Sequence, residues 1–354
     1  MQRGYSLIVL LLAFVLAPVL VACEGNGELP PGTGEQQVCA SSEVLCVGLV
    51  TDVGRIDDRG FNQSAWEGVV QARAVIGAQV SYIETVDSKD YAENIEYFLQ
   101  QEYDIIVTVG FSLGDSTRQI ALEYPDTSFI GVDQYQATVI PNVAGLIFDE
   151  SKAGFLAGAL AAQLSQSGTI ATVLGTELVP PVVAFKVGYE NGAAYINPNI
   201  RLISTYHPGT LEQAFTDPDW GAATTRQAIG QGADVVFGAG GATGNGALID
   251  AASTEGVYCI GVDTDQWATL PEAHSCLVSS AVKHITPGVY ELIALEVAGQ
   301  FPAGNYVGDV GLAPFHDFDG QISQEIRETL ATIEAGLQDG SIQTGYIPAG
   351  LETE

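Results

Sequence analysis

The chain comes close to repeating itself, and the repeat limits it to a paired α/β architecture. Tyr103-Asp-Ile-Ile-Val-Thr-Val-Gly110 is followed about twenty residues later by Phe129-Ile-Gly-Val-Asp-Gln134. Ala233-Asp-Val-Val-Phe-Gly-Ala-Gly240 is followed at similar spacing by Cys259-Ile-Gly-Val-Asp-Thr-Asp-Gln266. Each pair reads as two buried strands with a helical stretch between them. Both second strands run into Gly-Val-Asp, which sets Asp133 and Asp263 at their carboxyl ends. Ligands of open parallel sheets sit outside those ends. Two lobes that each present an acid there point to one small polar ligand gripped between them.

The 354 residues suffice for two domains, each with its own core. Lys and Arg number 12 against 43 Asp and Glu, a formal charge of -31. Such a surface repels phosphate backbones, which argues against nucleic acid as a partner and against a polyanionic ligand such as a nucleotide. A neutral or cationic ligand suits it better.

The first residues read as an export signal. Arg3 precedes an apolar run from Leu7 to Val21 that ends in Leu20-Val-Ala-Cys23. A small residue before Cys after such a run resembles a bacterial lipoprotein box, with Cys23 as the lipidated residue. The rival is a transmembrane anchor, because the run borders on spanning length. Residues 24–35 are polar and rich in Gly and Pro, as a flexible tether is. Four further cysteines in an exported chain suggest disulfides. They allow three pairings; the sequence neighbours Cys39–Cys46 and Cys259–Cys276 are the expected ones. Metal binding is the rival use, but no Cys-x-x-Cys and no nearby His accompanies them.

The remaining chain alternates short apolar strands with amphipathic helices, the pattern of parallel sheets with right-handed crossovers. The expected division is a signal peptide over 1–22 and a tether over 23–45. A first lobe follows over 46–147 with about 283–312, and a second over 148–282 with about 313–350. A chain that crosses between lobes more than once forms a hinge, which permits closure on a ligand. Helices are expected over Phe185–Tyr195 and Gly246–Glu255, and one strand over Gly308–Leu312.

Several residues are placed to meet such a ligand. Asp52 stands at the end of the first strand, and Gly60-Phe61-Asn62 opens the next helix. Asn62 either caps that helix or turns to a ligand, and Phe61 either packs in the core or offers a flat face to a planar ring. Phe215 holds a matching place in the second lobe, so the two rings form a candidate sandwich for a base. Asp217-Pro218 reads as a helix start. Gly238-Ala-Gly-Gly-Ala-Thr-Gly-Asn-Gly246 departs from a dinucleotide fingerprint and is read as a turn whose backbone, near Gly241, approaches a hydroxylated ligand. Lys283 lies near the hinge, within reach of Asp263. No Gly-x-Ser-x-Gly elbow and no His-Glu-x-x-His pattern occurs, so neither a nucleophile, a metal nor a cofactor is expected.

Together these residues resemble the basic membrane protein family of bacterial lipoproteins, which includes purine nucleoside receptors. The matching elements are Cys23, Asp52-Val-Gly54, Gly60-Phe61-Asn62, Gly131-Val-Asp133, Phe185-x-x-Gly188-Tyr189-x-x-Gly192, Phe215-Thr-Asp217-Pro218, Gly240-Gly241 with Gly244-x-Gly246, Gly261-Val-Asp263 with Gln266, and Ser280-x-x-Lys283. The resemblance implies a type I periplasmic-binding-protein fold and a monomeric, lipid-anchored receptor on the outer side of the cell membrane. Its partners are the permease and ATPase of an ABC importer. It implies that Phe61 and Phe215 stack on a base, that Asp52, Asn62 and Asp133 bond it, and that Gly241, Asp263 and Lys283 hold ribose. One departure is Gly60, where the family usually carries Ser. The rival readings are a ribose- or xylose-type sugar receptor and, from another class, an exported nucleoside hydrolase using Asp52, Asp57 and Asp58 around calcium. A surface protein that kept the fold and lost the ligand is a further rival.

Overall fold

The computed structural model describes residues 44–349 together with Cys39 and Leu351. Cys23, the expected signal peptide and most of the expected tether lie outside them. The first half runs β1 (Cys46–Val53), α1 (Phe61–Ile76), β2 (Gln79–Thr85), α2 (Tyr91–Gln100), β3 (Ile105–Val109), α3 (Gly114–Glu123), β4 (Ser128–Val132) and β5 (Val143–Phe148). There follow α4 (Glu150–Leu164), β6 (Thr169–Leu174), α5 (Pro180–Ile196), β7 (Arg201–Tyr206), α6 (Leu211–Ala214), α7 (Pro218–Gly230), β8 (Val235–Ala239) and α8 (Gly241–Ala251). The chain ends with β9 (Tyr258–Asp263), α9 (Gln266–Thr269), β10 (Leu277–Lys283), α10 (Ile285–Val297), β11 (Gly304–Gly308), β12 (Val310–Leu312) and α11 (Gln324–Asp339).

Two six-stranded sheets result, ordered β2-β1-β3-β4-β5-β11 and β7-β6-β8-β9-β10-β12. The repeat seen in the sequence is therefore a repeat of topology, with the first strand of each lobe flanked by the second and third. All the pairings are parallel except that of β12, which lies antiparallel along β10 with Lys283 opposite Val310. This is the type I periplasmic-binding-protein fold. The strands are continuous apolar runs because helices cover both faces of each sheet. One core gathers β1, β3 and β4 against α1 and α10, and another packs α4, α5 and α11 on the second sheet.

The chain passes between the sheets after β5, after β10 and between β11 and β12. The last passage falls at Asp309. Residues 310–312, expected in the first lobe, thus belong to the second sheet, and the single strand expected over Gly308–Leu312 is two strands. No residue pattern marks that point, since a strand that changes sheets keeps its extended backbone.

Two helices begin earlier than their sequence suggests. Pro180 and Pro181 occupy the first turn of α5, where a missing N–H costs nothing. The Gly-rich stretch read as a turn forms the first turns of α8. Its glycines serve close helix packing: a methyl group on Gly246 would lie 2.1 Å from the Pro218 carbonyl oxygen. The Gly188 and Gly192 of the family motif act likewise, because there a methyl group would meet the Ser151 and Phe155 carbonyls of α4 at 2.1 and 1.9 Å. Cys39 is joined to Cys46 and Cys259 to Cys276. Among the described residues no helix is long and apolar enough to cross a membrane.

Candidate ligand-binding site

The carboxyl ends of β1, β3, β4, β8, β9 and β10 face one cavity of about 610 Å³, within the size range of small-molecule sites. Asp52, Phe61, Asn62, Asp133, Phe215, Gly241, Asp263 and Lys283 all line it. The topology explains the convergence: each of these residues ends a strand or opens the helix after it, except Phe215, which ends the short helix α6.

Lys283 organises one end of the cavity. Its Nζ donates to Asp133 Oδ2 at 2.7 Å and lies 3.3 Å from Asp263 Oδ1 and 3.8 Å from Glu150 Oε1. It also sits over the Phe61 ring, 4.6 Å from the centroid, a favourable cation–π position. Burial works against the ammonium, but the three carboxylates outweigh it and hold its pKa above the ordinary lysine value. Burial in turn pushes Glu150 up to about 8, with Lys283 opposing the shift. Burial also raises Asp133, again against the pull of Lys283.

Asp133 and Asp263 both adopt left-handed backbone, with φ of 58° and 66°. Short polar residues tolerate that region better than others, and the turn directs each carboxylate into the cleft. The Gly of each Gly-Val-Asp leaves room for a glutamine amide: a methyl group would meet Gln134 Oε1 at 2.4 Å on Gly131, and Gln266 Oε1 at 2.5 Å on Gly261.

The other end of the cavity holds Asp52, Asn62 and Phe215, while Phe61 borders the Lys283 ammonium. Asn62 Nδ2 donates to Asp52 Oδ1 at 3.4 Å. Burial pushes Asp52 up to about 7, with the Asn62 bond opposing and Asp58 and Asp133 adding to the shift. Asn62 does not cap α1. Asp58 takes that role, accepting from the backbone N–H groups of Gly60, Asn62 and Gln63 at 2.9, 2.9 and 3.1 Å. Asn62 is thereby free to face the cavity. Asn62 Oδ1 and Asp133 Oδ1 are buried without a hydrogen-bond partner among the described residues. Such atoms are costly unless a ligand completes them.

Sequence reasoning gave no role in the site to Glu150, Asn245 or Thr269, and did not foresee what Asp58 and Gln266 do there. Glu150 completes the Lys283 cluster, and Asp58 supports Asn62. Asn245 Nδ2 donates to the Asp58 carbonyl at 2.8 Å, and Gln266 Nε2 donates to Asn245 Oδ1 at 2.7 Å. Thr269 Oγ1 donates to the Arg59 carbonyl at 2.8 Å. These bonds fasten the loop between β1 and α1 to the second lobe. Arg59 adds an ion pair with Glu272 at 2.7 Å. Arg55 pairs with Asp57 at the mouth.

Two lobes facing one small-molecule cavity are the arrangement of solute-capturing binding proteins. The family model of the PnrA-like ABC transporter substrate-binding proteins (Bmp) matches residues 46–312, and the chain belongs to that family. Basic membrane protein A of Borreliella burgdorferi is 32% identical, over 75% of this chain and 73% of its own length. The ABC transporter nucleoside-binding protein BmpA of Lactococcus lactis is 27% identical, over 84% of this chain and 88% of its own. A solved ABC transporter solute-binding protein from Aeropyrum pernix superposes with a TM-score of 0.74 at 23% identity, covering 84% of this chain and 92% of that one. The chain is thus a substrate-binding protein of the ABC transporter type.

Proposed function

We propose that the protein captures a nucleoside, most suitably a purine nucleoside, and delivers it to the permease of an ABC importer from a lipid anchor at Cys23 on the outer side of the membrane. The observation that carries this reading is the chemical asymmetry of the cavity. At one end carboxyl groups and an ammonium, drawn from both lobes, suit the vicinal hydroxyls of a ribose, which donate and accept. Towards the other end Phe61, whose ring borders that ammonium, and Phe215 offer ring faces, while the unpartnered Asn62 Oδ1 and the Asp52 carboxyl suit the edge of a heterocycle. A sugar alone leaves the aromatic end unused.

The acids around the cavity disfavour a phosphate group, so the ligand is a nucleoside rather than a nucleotide. No catalysis is assigned. Asp58, which a calcium-dependent hydrolase reading requires as a ligand, spends its oxygens on the start of α1. Asp57 is bound to Arg55. The reading is tested by purifying the protein natively from cells grown on rich medium and identifying what it carries by mass spectrometry. A nucleoside is expected; a pentose with no base attached contradicts the proposal.

A further inference from the structure

A second hollow, of 1170 Å³, opens directly from the site. It shares Asp52, Val53, Phe111, Ser112 and Phe215 with the cavity, all at the end assigned above to the base. Its outer walls come from α3 and the loop after β4 in the first lobe, and from α6 in the second. Apolar side chains face water along much of it: Leu122 is 68% exposed, Val139 61% and Phe111 45%, with Asp115, Arg118 and Glu212 at its rim. A funnel that merely admitted a hydroxylated ligand to an acidic cleft has no use for such a wall, and exposed apolar surface of this kind ordinarily marks a contact. The ammonium and its three carboxylates, the groups assigned above to the ribose, lie outside this hollow.

We infer that this groove is an outer subsite for an apolar substituent carried on the exocyclic amine of the base, so that the ligand class includes N-alkyl and N-arylmethyl purine nucleosides. The inference rests on the nucleoside reading and extends it. A mono-substituted amine keeps one N–H for Asn62 Oδ1 or Asp52, while its substituent passes Phe111 and Phe215 into the groove. Leu211 and Phe215 of the second lobe form part of the wall, and Ser88 Oγ donates to Glu212 Oε1 at 3.0 Å across the lobes beside it. Closure and enclosure of the substituent are therefore one movement.

The test is calorimetric titration of the full chain, solubilised in detergent, with adenosine, guanosine, N6-benzyladenosine, N2-benzylguanosine and 5′-O-benzyladenosine. A parent nucleoside that binds should be matched or bettered by its N-benzyl derivative, while the 5′-O-benzyl compound loses about a hundredfold or more, since it thrusts the same ring into the charged end. Val139→Trp, which fills the groove from an exposed position, should weaken the N-benzyl ligand about tenfold or more and spare the parent. Leu122→Asp should act in the same sense. Loss of more than about tenfold on N-benzylation, with the parent still bound, overturns the subsite alone. Insensitivity of the N-benzyl ligand to both variants likewise overturns it. Failure of every parent nucleoside overturns the nucleoside reading and the subsite with it.

Discussion

Asp133 and Asp263 occupy equivalent places in the two lobes and share one cation. Both follow a Gly-Val step at a strand end and take left-handed backbone, and Lys283 lies 2.7 Å from one and 3.3 Å from the other. The lysine belongs to β10, the strand after which the chain returns to the first lobe. The ion that organises the site is therefore also tied to the hinge.

Removing that cation should be costly. Lys283→Met leaves Asp133 and Asp263 buried without compensation, and losing one partner of a buried ion cluster destabilises by about 3–5 kcal/mol. Thermal denaturation at pH 8 should show the loss, with part of it recovered at pH 5 as the carboxylates take up protons. A variant as stable as the parent at pH 8 would mean that the cluster is not the buried unit described.

The acids of the cleft also set the pH dependence of stability. Burial pushes Asp58, Asp52 and Glu150 up to about 6, 7 and 8, above the ordinary values of 3.8, 3.8 and 4.5. Between those limits the folded state holds more protons than the unfolded one, so stability falls as pH rises. The contribution is complete below about pH 4 and is lost as pH climbs through 6 to 8. Calorimetric scans should therefore give a Tm that declines from pH 5 to pH 9, by at least about 2–4 °C. A Tm that rises over that interval contradicts the assignment.

The aromatic pair predicts a graded loss of binding. Phe61→Ala and Phe215→Ala should each weaken nucleoside affinity by about 1–3 kcal/mol, the scale of base–aromatic stacking. Phe61 should show the larger side effect on stability, because its ring also faces the Lys283 ammonium. Unchanged affinity in both variants removes the sandwich.

The bonds that fasten the loop between β1 and α1 to the second lobe should govern release. Asn245→Ala and Thr269→Val each delete one bond across the cleft, worth about 1 kcal/mol. Stopped-flow measurements should find koff raised about fivefold, with kon changed less than about threefold. A change confined to kon would place these residues in encounter rather than closure.

Much of this was legible from residue order, for identifiable reasons. Strand ends define where ligands sit in parallel sheets, so Asp52, Asp133 and Asp263 announced themselves, and Lys283 stood out in a chain with few cations. Glu150 did not, because an acid in the first turn of a helix is ordinary, and only the fold brings it to Lys283. Asn245 and Gln266 act on backbone carbonyls of the other lobe, contacts that leave no periodic trace. Gly246 and its neighbours read as a turn because sequence cannot distinguish glycine used for bending from glycine used for close packing. The passage at Asp309 is silent for the reason given above.

The central claim is that the cleft takes a base and a ribose together, and titration tests it most directly. Full-length protein, stripped of carried-over ligand by denaturation and refolding, would be titrated by calorimetry with adenosine, guanosine, inosine, cytidine, ribose and xylose. Micromolar or tighter binding of nucleosides, with none of the free sugars, is the predicted result. Binding of ribose or xylose alone, or of nothing in the set, would contradict it.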